Sequence, residues 1–235
     1  NNTIIGGLAG DALTSGGQNV AVGKASLSSA TTANDNVGVG HGTLSSLTTS
    51  ARNVAIGTQA LNGAMNTNSN TYNIAVGYQA GMAVTTGLEN TFIGGLAGTA
   101  LTSGVSNVAL GYAALATSVD GDNNTAIGYA ALLAYEDGDG NGHNTAVGAA
   151  SQSAATTGEF NTSLGSQSMG SGVTTGDNNV SLGYRAGVAL TSGAQNILIG
   201  RGAGDALTTG LNNVAVGHEA LGTQIVHGQN VAVGY

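Results

Sequence analysis

Asparagine and glycine stand four residues apart fourteen times in this chain, with Ile, Val or Leu always just before the glycine. Asn19-Val20-Ala21-Val22-Gly23 is one copy, and Asn230-Val231-Ala232-Val233-Gly234 is the last. The copies begin at residues 2, 19, 36, 53, 73, 90, 107, 124, 144, 161, 179, 196, 213 and 230. Ten of the 13 intervals are 17 residues, two are 20 and one is 18. Such a period constrains the architecture more than length or composition does. Helix-plus-strand repeats need about 20 to 29 residues, so short strands and turns are what fits.

Numbering each repeat from its asparagine, position 2 is Val, Ile or Thr, position 3 is usually Ala, Gly or Ser, and position 4 is aliphatic. This alternation of branched against small residues reads as a short strand. Residues 1–235 are therefore expected to form a single all-β segment, a parallel β-solenoid (β-roll) of about 14 coils. Each coil should hold two short strands and two turns. Coils stacked about 4.8 Å apart would make a rod on the order of 65 Å long. The branched residues at positions 2 and 4 are expected to fill the coil, and the small position 3 to let neighbouring chains approach. The asparagines are expected to stack as a hydrogen-bonded ladder, and the glycines to make tight turns.

The second half of the repeat shows a substitution pattern. Gly at position 9 goes with Leu or Val at position 12, as in Gly98 with Leu101. Leu at position 9, as in Leu27 or Leu115, usually goes with something else. One bulky group per coil suits a narrow interior of fixed volume. Thr-Thr-Gly or Thr-Ser-Gly follows in many coils, as at Thr85-Thr86-Gly87, and supplies turn chemistry.

Composition narrows the function classes. The chain has 41 Gly, no Pro, no Cys and only 4% aromatics, so a lone chain has little with which to build a core and a partner chain is expected. Collagen is excluded, because glycine does not recur every third residue. A net charge of -8 with four Lys and Arg argues against nucleic acid. No apolar run approaches the ~18 residues of a membrane helix. The pattern is already running at both ends, which predicts a segment of a longer fibre chain.

The repeat resembles that of the YadA-like trimeric adhesin heads, which are left-handed parallel β-rolls. Asn124-Thr-Ala-Ile-Gly-Tyr-Ala-Ala-Leu132 and Asn90-Thr-Phe-Ile-Gly-Gly-Leu-Ala-Gly98 look closer still to phage tail-fibre repeats. The likeness runs the length of the chain. It implies a homotrimer of left-handed rolls, a structural role in a virion tail fibre, and adhesion or host attachment through a host-surface glycan or receptor. A bacterial trimeric surface adhesin or another extracellular filament is the alternative, on the cell surface. The period here is longer than the usual adhesin coil, so longer turns are expected.

Enzyme signatures are missing. The chain has no cysteine, its histidines His41, His143, His218 and His227 are spread over three coils, and no catalytic function is expected. Asp137-Gly-Asp139-Gly-Asn141-Gly142 matches the opening of a calcium loop, but Gly148 stands where an EF-hand needs its glutamate. Asp120 and Asp122 occupy the same repeat positions one coil earlier. Stacking would crowd these carboxylates, and a calcium ion held by Asp120, Asp122, Asp137, Asp139 and Asn141 would neutralise them. Position 6 collects five of the seven tyrosines, Tyr78, Tyr112, Tyr129, Tyr184 and Tyr235. Such a row could stack on sugars or seal a seam between chains. The extra residues of the longer repeats all fall between position 9 and the next asparagine, so they should decorate one edge. The Thr-Thr rows raise an ice-binding solenoid as a minor alternative, which interruptions at Ser118-Val119, Tyr135 and Val226-His227 disfavour.

Overall fold

The computed structural model describes residues 1–136, 142–223 and 225–235. They form two compact units, Asn1–Asp120 and Gly121–Tyr235. No helix occurs among the described residues, and every repeat contributes one three-residue strand.

The first unit holds β1(Thr3–Ile5), β2(Val20–Val22), β3(Val37–Val39), β4(Val54–Ile56), β5(Ile74–Val76), β6(Thr91–Ile93) and β7(Val108–Leu110). The second holds β8(Thr125–Ile127), β9(Thr145–Val147), β10(Thr162–Leu164), β11(Val180–Leu182), β12(Ile197–Ile199), β13(Val214–Val216) and β14(Val231–Val233). Within each unit every strand pairs in parallel with the next, position against position: Val20 with Val37 and Val22 with Val39, or Ile197 with Val214 and Ile199 with Val216. The parallel β-solenoid with a repeat of about 17 residues is therefore as expected. The extra residues of the longer repeats leave the strand register intact, as in the pairing of Val54 with Ile74.

The second strand expected in each coil does not form. Positions 7, 9 and 17 adopt left-handed backbone, for example Ala25, Leu27 and Asp35 with φ of 57°, 51° and 57°. A strand cannot run through such residues, so the coil turns instead. Gly10 N still donates to Ser26 O at 2.9 Å and Thr14 N to Thr31 O at 3.0 Å, carrying backbone hydrogen bonds from coil to coil. Left-handed backbone costs an ordinary side chain about 1–2 kcal/mol. The buried leucines at position 9 recover this, since full burial of such a side chain is worth about 1.5–3 kcal/mol.

The two faces of the strand are the reverse of the expectation. Position 3 points into the coil: Ala21, Ala55 and Ala75 in the first unit, and Ala126, Ala146 and Ala215 in the second, are fully buried. Positions 2 and 4 point outward, and Ile56, Ile74, Leu110, Leu164 and Ile197 are all exposed. The interior is too narrow to take a branched pair. Its bulk comes from the turn side, from residues such as Leu27, Leu44, Leu61, Leu101 and Leu115 in the first unit and Leu132, Met169, Leu190 and Leu207 in the second. Small residues on the strand leave room for them.

Asparagine at position 1 also points inward in the interior coils, and the amide of Asn90 is fully used. Asn90 N donates to Asn73 Oδ1 at 3.0 Å, and Asn90 Nδ2 donates both to that oxygen at 3.1 Å and to Gly104 O at 2.7 Å. The expected ladder is present. The bond to Gly104, fourteen residues on in the same coil, adds a second function by closing the coil on itself. The second unit repeats the arrangement at Asn196, with bonds to Asn179 Oδ1 and Gly210 O. Position 5 must be glycine for two reasons. Gly94 has φ +132°, and a Cβ there would lie 2.5 Å from the carbonyl oxygen of Gly111.

Candidate interaction surface

Because positions 2 and 4 face outward, the sheet of each unit presents a strip of nothing but Val, Ile, Leu and Thr. No charge interrupts it. In the first unit Ile56 and Ile93 are 40% and 38% exposed although flanked by strands on both sides. In the second unit Leu164 and Ile197 reach 53% and 41%. Hydrophobic residues scattered over a surface need no explanation, but an aligned apolar strip marks a contact surface.

Two rims border the strip. Position 6 forms one, and all five of its tyrosines are exposed: Tyr78, Tyr112, Tyr129, Tyr184 and Tyr235. Tyr112 lies over Gly95 of the preceding coil. Further along this rim Arg201 Nη1 and His218 Nε2 lie 2.6 Å apart, and His218 stacks on Tyr235 with ring centroids 5.3 Å apart. Position 17, the residue before each asparagine, forms the other. Here Arg52 pairs with Asp35 at 3.8 Å and donates to Tyr72 Oη at 2.5 Å, while its guanidinium sits 5.6 Å from the Tyr72 ring centroid. In the second unit His143 stacks on Phe160, centroids 5.0 Å apart and planes within 7°.

Sequence reasoning found the first rim and missed the second. A signal was available, since the residue before the asparagine is never glycine and includes Arg52, Tyr72, His143 and Phe160. An apolar centre edged by Tyr, Arg and other polar side chains is the anatomy of a protein–protein interface.

The other candidate sites are placed as follows. Asp120 ends the first unit, Asp122 lies at the start of the second, and Asp137, Asp139 and Asn141 lie outside the described residues. Among the described residues no three His, Asp or Glu side chains gather to hold a metal ion. The insertion before β5 lies on the preceding coil: Ala51 bridges Asn70, Thr48 bonds to Asn66, and Thr71 N donates to Ala51 O at 3.0 Å. In the threonine turns the position-13 hydroxyls bond to backbone, as Thr191 Oγ1 does to Thr208 O at 3.1 Å.

Fold and surface together define a parallel β-solenoid repeat protein with an apolar sheet face. No family model, curated protein or solved structure matches the chain.

Proposed function

We propose that this chain is a structural segment of a homotrimeric fibre of the phage tail-fibre kind, which spaces or presents contacts to a host surface. The observation that carries the reading is the outward apolar strip with its aromatic and basic rims. Copies of the same chain are the partner that fits it. They share one coil spacing, so their strips stay matched coil after coil, whereas an unrelated surface would fall out of step. Burying the strip adds to the apolar contact that the chain's narrow interior supplies. Three left-handed rolls with their sheets turned to a common axis satisfy both the strip and the resemblance of the repeat to tail fibres and YadA-like heads.

Such an assembly acts mechanically. Backbone ladders along each chain and apolar contact between chains give a stiff support, and repeated copies allow multivalent attachment to a host glycan or receptor. On this reading the protein is neither an enzyme nor an ice binder, and it works outside the cell, on a virion. Light scattering tests the assembly: three times the 22.6 kDa of one chain is expected, and a single-chain mass would refute it. Adsorption of the purified segment to host cells separates presentation of a receptor site from spacing alone.

A further inference from the structure

The two rims vary against each other. Of the twelve strands β2 to β13, ten carry an aromatic or basic side chain on one flank only. Arg52, His143 and Phe160 precede strands that are followed by Thr58, Ala149 and Ser166. Tyr112, Tyr184 and Arg201 follow strands that are preceded by Ser106, Asn178 and Gln195. β5 has bulk on both flanks, in Tyr72 and Tyr78, and β6 has neither, with Glu89 and Gly95. Charge obeys the same rule. No strand bears like charges on its two flanks, and β3 has Asp35 before it and His41 after it.

Nothing within one chain accounts for this. The flanks of a strand are separated by six residues, roughly 20 Å of extended backbone, and cannot touch. Arg52 with Tyr72 and His218 with Tyr235 make contacts that run along a rim. A cyclic assembly of parallel copies supplies the missing contact. Its interfaces are heterologous, so the flank before a strand on one copy meets the flank after the same strand on the next.

We propose that the seam between neighbouring copies is built this way, with each position-17 side chain packed against the position-6 side chain of the same coil on the adjacent copy. Bulk on one side then fills space left by a small residue on the other, and the sequence of large and small steps fixes the axial register. A slip of one coil between β8 and β11 would set Phe160 against Tyr184 and give Ala149 the smaller Asn123 in place of His143. This rests on the assembly of copies proposed above, and it identifies which residues meet.

Two experiments on the full chain test it. The first is a double-variant cycle on Phe160→Ser and Ser166→Phe, read as the melting temperature of the assembly. Each single variant is expected to lower it by several degrees, and the double variant to lose clearly less than the two single losses summed, the stack of Phe160 on His143 being lost in either case. Side chains that never meet would give additive losses, which would overturn the seam. The second uses the absence of native cysteine. Gln195→Cys with Arg201→Cys, treated with a short bismaleimide, is expected to give covalently linked chains. Gln195→Cys alone, or with Tyr129→Cys four coils and about 19 Å away, should not. A three-chain mass without same-coil cross-links overturns the seam and leaves the assembly standing. A single-chain mass overturns both.

Discussion

The Phe92 ring fills the space in which a side chain at Gly98 would stand: a Cβ on Gly98 would lie 2.3 Å from Phe92 Cε1. The preceding coil makes the same concession, with a Cβ on Gly81 falling 2.7 Å from Phe92 Cδ2. Leu198 stands in the same relation to Gly204 and Gly187, at 2.8 and 2.7 Å. A large residue at position 3 thus requires glycine at position 9 of its own coil and of the coil before. Where position 3 is alanine, as at Ala109, position 9 is free to be Leu115.

Exchange between these positions should therefore be coupled. Gly98→Ala is expected to cost about 1–3 kcal/mol through overpacking, and Phe92→Ala about 3–5 kcal/mol through the cavity it leaves. Combining Phe92→Ala with Gly98→Leu approaches the Ala109–Leu115 arrangement, with Leu101 kept where that coil has Ser118, and should recover part of the loss. Urea midpoints on the three variants check this.

The asparagine ladder gives a sharper test. Asn90→Asp keeps the acceptor for Asn107 N but removes the two Nδ2 donations and places a charge at a fully buried site. A loss of at least about 2–3 kcal/mol is expected, because a buried polar group without its partner pays its full desolvation cost. Asn230→Asp, at a part-buried site, should cost clearly less. Equal losses at the two positions would contradict the closing role given to the amide.

Neighbouring glycines should behave differently. Gly94→Ala meets a carbonyl oxygen at 2.5 Å and a φ of +132°, whereas a Cβ on Gly95 makes only ordinary contact with Tyr112 at 3.5 Å. Thermal melts should show Gly94→Ala strongly destabilised, by about 3 kcal/mol or more. Gly95→Ala is expected within about 0.5 kcal/mol of the parent.

These relations show what could be read without coordinates. The period, the parallel stacking, the Asn ladder and the need for glycine at Gly94 all follow from a repeat that places like on like. The direction of the strand faces did not. Branched residues at positions such as Val20 and Val22 read as core by hydrophobicity, and Ala21 as surface, yet a coil filled from its turns by Leu27 has no room for them. The paired glycines around Phe92 were legible as an exchange between positions 9 and 12, but the third partner, position 3, needed the geometry. Arg52, Tyr72, His143 and Phe160 were passed over because each copy differs. The calcium donors Asp137, Asp139 and Asn141 lie outside the described residues.

The central claim is that the apolar strip is where copies meet, and Ile197→Asp tests it most directly. Ile197 is 41% exposed on the outward face of β12, so a carboxylate there points away from the coil interior. Light scattering alongside circular dichroism is the measurement. The parent should have the mass of three chains and the variant that of one, with the same β-sheet spectrum. A variant that stays assembled, or a parent that is already a single chain, would contradict the account.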